Sequence, residues 1–318
     1  MSMPPECRDV LIIGGGHAGL SAALTTYRAL LKTTVFDTHQ PRNSWNTDIR
    51  LTPTWDSKLP SENLSTSRKE LAATGLVDFV DVRIDSIEKQ PDGLFKVVDT
   101  TGKYWIGRKV LLAMGASNVF PSIPGYAESF AKSIYPCMFQ FGFERRGVSS
   151  AGLLAVDGLA TVFAASTLAD DGHKFTDNFT IYTNSNPPLA ADLRAEVVAH
   201  GIKVDDRKIT KLGAEEGKEG ITIEFDDGSS CFEGFLVHRP STTCTSPLIQ
   251  QLGLETTPMS GIKTSMPFCQ TNVAGVFAAG DCASMMQIIP HAVAMGAYAG
   301  CGIARELPRR VTGNKCVQ

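Results

Sequence analysis

A chain of 318 residues, 43% hydrophobic and 20% charged with 29 glycines, has the size of two globular domains and is not the composition of a disordered or fibrous protein. Its formal net charge of −3 supplies no broad basic field, so neither nucleic acid nor an anionic membrane is an expected partner. No apolar run approaches the roughly 20 residues of a membrane span, and the opening MSMPPECRDV passes into a strand pattern without the regions of a signal peptide, so a cytoplasmic protein is expected.

Residues 9–14, DVLIIG, are a short apolar and β-branched run that predicts a buried parallel strand. It enters Gly14-Gly15-Gly16-His17-Ala18-Gly19 and then LSAALTTYRALL, where Leu20, Ala23, Leu24 and Tyr27 recur at helical spacing. In such a unit Gly14 allows the tight turn, Gly16 lets backbone N–H groups approach a pyrophosphate, and Gly19 lets helix and strand pack closely. A second strand, TTVFD, ends at Asp37, where a carboxylate can accept ribose hydroxyls. Strand, turn, helix and acid in this order predict dinucleotide binding. His17, inside the turn, reads as a packing or surface residue.

The stretch RNSWNTDIRLTPTWDSKLP, 42–60, has no clear period and mixes Trp45, Trp55 and Arg50 with hydroxyls, the composition of a pocket-lining loop. KVLLAMGA, 109–116, predicts another buried strand closing on a small-residue turn that holds Ala113 and Gly115, and PSIPG follows. YPCMFQFGFERRG, 135–147, has Cys137 but places Gln140 three positions later. The eight cysteines form no C-x-x-C pair and no zinc pattern, so they are expected to be thiols, and no metal is expected.

Further on, SSAGLLAVDGLATVFAAS contains Gly152 and Gly158, which do not make a G-x-G-x-x-G, and no strand closing on a glycine turn is predicted ahead of them. FTIYT is followed by Asn184, Ser185 and Asn186. TNVAGVFAAGDC predicts a strand that holds Gly280 and Asp281 at its end, where the carboxylate can meet the ribityl and pyrophosphate region of a flavin dinucleotide. From Pro290 onward Ala292, Met295, Gly296, Ala299 and Ile303 make a small-residue helical face, with Pro290 suited to the first turn and His291 beside it. His39, His173, His200 and His238 have no motif around them.

Taken together, IIGGGHAGLSAAL, the RN at 42–43, KVLLAMGA with PSIPG, PCMFQFGFERRG and GVFAAGD resemble the low-molecular-weight thioredoxin-reductase-like flavoproteins, in particular the fungal branch of gliotoxin-type dithiol oxidases. The resemblance implies an α/β protein with two Rossmann-like, three-layer ββα domains. A split FAD-binding domain at 1–117 and 240–318 would enclose a smaller, degenerate NAD(P)H-type domain at 118–239, and the protein would be a homodimer. It further implies FAD contacts from Gly14, Gly16, Ala18, Gly19, Asp37, Arg42, Asn43, Ala113, Gly115, Gly280 and Asp281. The helix start, Ile289, Pro290, His291 and Ala292, would face the flavin.

Two departures from that family decide the expected chemistry. A reductase of this type binds NADPH through a second glycine fingerprint and an arginine cluster, where this chain has Gly152, Gly158 and the run Asn184-Ser185-Asn186. It also passes electrons through two thiols, and here Gln140 takes the flavin-facing place of the second, which cannot form a mixed disulfide. The expectation is an FAD-dependent oxidase or dehydrogenase of a small organic intermediate in fungal secondary metabolism. Substrate would give a hydride to flavin N5, His291 or a water would take the proton, and O2 would reoxidise the flavin. Gln140 and Cys137 are the other candidate catalytic residues. The alternatives are thiol chemistry through Cys137, alone or with Cys282, and a non-redox flavoprotein.

Overall fold

The structure is a computed structural model that describes residues 6–45, 48–214, 217–257 and 261–308. The chain divides into two compact units, Met1–Ser117 with Thr242–Gln318, and Asn118–Ser241. The first unit begins with β1 (Arg8–Ile13), α1 (His17–Arg28), β2 (Thr33–Phe36), α2 (Pro60–Ala72), β3 (Val77–Val80), β4 (Ile84–Lys89), β5 (Phe95–Asp99) and β6 (Tyr104–Leu112). After β7 (Ser117–Val119), at the boundary, the second unit holds α3 (Tyr126–Ser129), β8 (Ile134–Tyr135), α4 (Met138–Arg145), β9 (Ala151–Leu154), α5 (Val162–His173) and β10 (Phe179–Tyr182). It continues through α6 (Pro187–Val197), β11 (Lys203–Asp205), β12 (Ile209–Gly213), β13 (Ile221–Phe225), β14 (Ser230–Glu233) and β15 (Leu236–Val237). Past β16 (Ser241–Thr243) the chain returns to the first unit with α7 (Pro247–Gln251), β17 (Val276–Ala278) and α8 (Ile289–Glu306).

The first unit is built on one sheet with strand order β3-β2-β1-β6-β5-β4, and β17 also pairs with β6. Strands β3, β2, β1, β6 and β17 are mutually parallel where they pair, whereas β4, β5 and β6 form an antiparallel meander. The nine residues of β6 serve three partners: Gly107–Leu112 pair with β1 on one edge, while on the other Tyr104–Gly107 pair with β5 and Val110–Leu112 with β17. Because strand side chains alternate in direction, the unbroken apolar run of β1 covers both faces. Val10 and Ile12 pack into a core with Ala22, Met295 and Phe277, while Leu11 and Ile13 join a second core with Phe36, Phe95 and Leu248.

Helix α1 buries Ala18, Leu20, Ala22 and Ala23, but Leu24 is 38% exposed and lies outside the face its spacing suggested. The reason is α8, which packs on α1 backbone to backbone and so selects small residues. A Cβ on Gly296 would stand 2.1 Å from the Ala18 carbonyl oxygen, and Ser21 Oγ donates to the Val293 carbonyl at 2.7 Å.

The second unit repeats the plan with a five-stranded parallel sheet, order β11-β10-β9-β15-β8, and a separate antiparallel sheet, β12-β13-β14. Helices α5 and α6 bury Ala165, Ala169, Leu189 and Leu193 against Leu153, Phe179 and Ile181. Both units are therefore of the Rossmann-like, three-layer class. Among the described residues no helix is long and apolar enough to cross a membrane, and no group of three His, Cys, Asp or Glu is arranged to hold a metal. Cys7 is disulfide-bonded, against the expectation of thiols throughout.

Candidate flavin-binding and active site

The site grows out of the turn between β1 and α1. Gly14 has φ +115°, its N–H donates to the Phe36 carbonyl at 2.8 Å, and a Cβ there would lie 2.1 Å from the Ala113 carbonyl oxygen. Any side chain at 14 would drive β6 and the turn apart. Gly19 is held as tightly, since its Cβ would meet the Gly14 carbonyl oxygen at 1.9 Å. Gly16 is the opposite case, with nothing within 4 Å of its virtual Cβ. It is the N-cap of α1, no side chain caps the helix, and the first turn carries no acidic residue. The first N–H groups of α1 thus have no side-chain acceptor, and they open on free space with the positive end of the helix dipole. That cradle fits a pyrophosphate.

The candidate contacts gather around this turn. Gly15 abuts Asp37, whose Oδ2 would be 2.5 Å from a Cβ at 15, so the carboxylate lies directly on the turn. Its Oδ1 accepts the His39 N–H at 3.1 Å and its Oδ2 is 3.4 Å from Arg68 Nη1. Arg42 and Asp281, 239 positions apart, meet: Nε and Nη2 both donate to Oδ2, at 3.1 and 2.8 Å, with the two side chains 18% and 20% exposed. A partly buried, charge-assisted pair of this kind fixes the loop after β2 to the end of β17. Asn43 sits half-buried in the same loop. Ala113 is buried and donates to the Ile13 carbonyl at 2.8 Å, while Gly115, φ +70°, faces open space. Gly280, φ +79°, brings the strand end against Ala18, 2.9 Å from a virtual Cβ.

The second helix end is that of α8. Ile288 is its N-cap, Ile289 and Pro290 open the first turn, and again neither a capping side chain nor an acid is present. An 18-residue helix so exposed at its start offers a positive end to an anionic ring edge. Ala292 is buried beneath Gly280, and His291 is half-buried with Nε2 3.0 Å from Ser284 Oγ. The same oxygen accepts the Met286 N–H at 3.0 Å, so Ser284 is held while it orients the imidazole.

His17, expected as a packing or surface residue, is half-buried on the turn. Its Nε2 is buried with no hydrogen-bond partner, and burial pulls its pKa down against the opposing charge of Asp281. A buried orphan nitrogen on the phosphate turn is a further sign that the cradle is shaped for a polar group. Cys282 loses its candidacy as a partner thiol, because it is fully buried, lies 3.4 Å from the Leu112 and Ala279 carbonyls, and burial pushes its pKa up to about 12.

Cys137 and Gln140 belong to the second unit. Cys137 is the half-buried N-cap residue of α4, and Gln140, inside α4, donates its N–H to the Cys137 carbonyl at 3.2 Å. The stretch with Gly152 and Gly158 needs a correction. Gly152 lies in a genuine strand, β9, which does lead through a turn at 155–161 into α5, so the strand–turn–helix unit is present. The strand was hard to see because AGLL is four residues long and half small. The turn itself is not a glycine cradle: Asp157–Leu159 wind into a 3₁₀ turn, and the Ala164 N–H is taken by the side chain of Thr161 at 3.3 Å. Asn184 and Asn186 are spent locally, their Oδ1 atoms accepting the N–H groups of Ile209 and Leu189.

Sequence reasoning missed Gly15, Arg68, Ser284 and the orphaned nitrogen of His17. Only the run of three glycines carried a hint, since a middle glycine without a turn role implies close approach by another group.

Comparison with known proteins agrees with this geometry. The family profile described as pyridine nucleotide-disulphide oxidoreductase matches residues 8–296. The chain is 38% identical over 314 residues to thioredoxin reductase tcpT of Claviceps purpurea, covering 97% of each, and 36% identical over 311 residues to thioredoxin reductase sirT of Leptosphaeria maculans, covering 95% of each. Among solved structures, the oxidoreductase from Agrobacterium tumefaciens superposes with a TM-score of 0.84 at 28% identity, over 94% of this chain and 98% of that one. With the nucleotide turn, the split first unit and the two uncapped helix ends in place, the chain belongs to the pyridine nucleotide-disulphide oxidoreductases, as an FAD-dependent oxidoreductase of thioredoxin-reductase-like fold.

Proposed function

We propose that this protein is an FAD-dependent oxidase or dehydrogenase of a small organic intermediate in fungal secondary metabolism, acting as a homodimer in the cytoplasm, with O2 as the final electron acceptor. The observation that carries the proposal is the second unit. Its turn at 155–161 is closed on itself, Asn184 and Asn186 are consumed by the backbone, and position 140 is an amide where a dithiol relay needs a thiol. A protein without those parts draws its electrons from the substrate.

Bound FAD supplies a two-electron acceptor. The chain's own residues bind and orient it. The N–H groups at the start of α1 hold the pyrophosphate, Asp37 takes the ribose hydroxyls, and Arg42 with Asp281 fixes the ribityl side. The start of α8 stabilises negative charge on the ring edge. In the tautomer where His291 Nε2–H donates to Ser284 Oγ, Nδ1 is left as the acceptor for a substrate proton, and Ser284 steadies the imidazolium that results. Anaerobic mixing of the holoenzyme with candidate intermediates tests this reading. Loss of the oxidised flavin's visible absorbance, restored by air with hydrogen peroxide released, is expected; reduction by NADPH but by no intermediate would sink it.

A second reading is favoured by the relatives' names. Two fungal proteins called thioredoxin reductase share over a third of their residues with this chain, and Cys137 stands at a helix start. Thiol chemistry through Cys137 alone predicts that Cys137→Ser is inactive, whereas the oxidase reading predicts turnover within about twofold of the parent.

A further inference from the structure

Four charged side chains form a closed cycle beside the nucleotide turn, and of these only Asp37 has a part in the flavin site so far. Asp37 follows β2, His39 stands two positions on with φ +56°, Arg68 belongs to α2, and Asp81 follows β3. The Asp37 carboxylate is held at both oxygens. Oδ1 accepts the His39 N–H at 3.1 Å, and Oδ2 is 3.4 Å from Arg68 Nη1 and 3.5 Å from His39 Nδ1. Arg68 is itself held from two further sides: its Nη2 donates to Asp81 Oδ1, and its guanidinium lies over the Phe79 ring, 4.4 Å from the centroid. His39 Nε2 closes the cycle on the same Asp81 oxygen at 3.0 Å.

The place of Arg68 follows from its helix. Leu71, the buried residue of α2, lies three positions on, so Arg68 shares the side of the helix that faces the sheet. A guanidinium carries five donors in a flat fork and can engage two carboxylates at once, with its plane left free to stack on an aromatic ring. An arginine fixed in this way is a rigid support for Asp37. The carboxylate would otherwise turn about a soft terminal torsion, and ordering it when a ligand arrives would reduce what its hydrogen bonds contribute. Gly15 stands close on another side, yet the Asp37 side chain remains 19% exposed and within reach of a ligand. A carboxylate has about four lone-pair sites, so the three contacts at Asp37 leave room for a hydroxyl.

We propose that Arg68 is the positioning residue for the adenosine end of the cofactor. By holding the Asp37 carboxylate in one orientation, it makes the protein select a flavin dinucleotide whose adenosine ribose carries a free 2′-hydroxyl. The proposal rests on the reading of Asp37 as ribose acceptor and adds what makes that acceptor selective.

Competition for the holoenzyme's own site tests it. Holoenzyme is equilibrated with an excess of an equal mixture of FAD and the FAD analogue that lacks the adenosine 2′-hydroxyl, and the bound flavins are then released and separated by chromatography. The parent is expected to hold FAD over the analogue by roughly tenfold, and Arg68→Met by no more than about twofold. Arg68→Lys, which can pair with Asp37 but lacks the fork, should fall between them. A merely structural role would weaken both flavins alike and leave their ratio unmoved. A full preference persisting in Arg68→Met overturns the proposal and leaves the role of Asp37 intact. Absence of any preference in the parent overturns the Asp37 reading and the proposal with it. Should Arg68→Met not fold, Asp81→Asn loosens Arg68 from a side chain that is 58% exposed, and the preference must then drop at least about threefold; an unchanged ratio there also overturns the proposal.

Discussion

The two units contain the same strand–turn–helix unit, and they spend its hydrogen bonds in opposite ways. Between β1 and α1 the chain packs its glycines so closely that no Cβ fits at 14 or 19, and leaves the helix start without a cap. Between β9 and α5 the turn coils on itself and Thr161 caps the helix from within. A phosphate site is made of donors that the protein declines to satisfy internally. The first turn keeps those donors available at some cost in stability; the second gains the cap, which on the proposed reading leaves it no phosphate site.

The largest expected effect comes from making the two turns exchange their tolerance. Gly14→Ala should lose the flavin and on the order of 3 kcal/mol of stability, because φ +115° and the Ala113 carbonyl both reject a methyl group. Gly158→Ala, whose Cβ would meet only Ser241 Oγ at 3.4 Å, should stay within about 0.5 kcal/mol of the parent. Flavin content and thermal unfolding of the two variants read this directly, and equal tolerance would erase the contrast.

Acid sharpens the comparison next, because the second turn rests on a buried histidine. His238 is fully buried, accepts or donates at Nδ1 to Tyr126 at 2.6 Å, and burial lowers its pKa to about 4 from 6.5, opposed by a backbone bond at Val156 and the charge of Asp157. The folded value lies below the unfolded one, so the stabilisation is complete above pH 6.5 and is lost as pH falls toward 4, on the order of 3 kcal/mol in all. Denaturant unfolding followed across that window should show the loss, and His238→Gln should flatten it.

Smaller changes separate cofactor from fold. Arg42→Met leaves Asp281 partly buried and unpaired, so a cost of about 1–3 kcal/mol is expected, together with weaker flavin retention in an equilibrium release assay. Thr161→Ala removes only a cap, worth about 1 kcal/mol, and should leave flavin affinity unchanged. A drop in flavin affinity in that variant would mean the second turn is not the self-contained element described above.

The α/β class and the nucleotide turn were legible because their signals are local: a β-branched run, three glycines, a helical repeat. Gly15 against Asp37 was within reach of the same logic. The pairing of Arg42 with Asp281 was not, since 239 positions separate them and nothing in either neighbourhood names the other. Ser284 beside His291 and Glu233 beside Tyr182 are hidden for the same reason, tertiary contacts between residues that are ordinary in their own segments. Helix α2 escaped notice because only Leu71 of its 13 residues is buried, which leaves almost no apolar period to read. Leu24 shows the reverse, an apolar residue at helical spacing that the close approach of α8 leaves outside.

The double use of one edge of β6 bears on the order in which this chain can be assembled. Its second half, paired with β1 on one edge, gains a neighbour on the other only when β17, 164 residues later, has been made, and the α8 face of α1 is covered only once α8 follows. The intervening unit, in contrast, is continuous from 118 to 241 and carries all its own strands. On the ribosome, where segments emerge from the N-terminus, the inserted unit can close first, while the earlier-made half of the flavin unit waits with an open strand edge for the end of the chain.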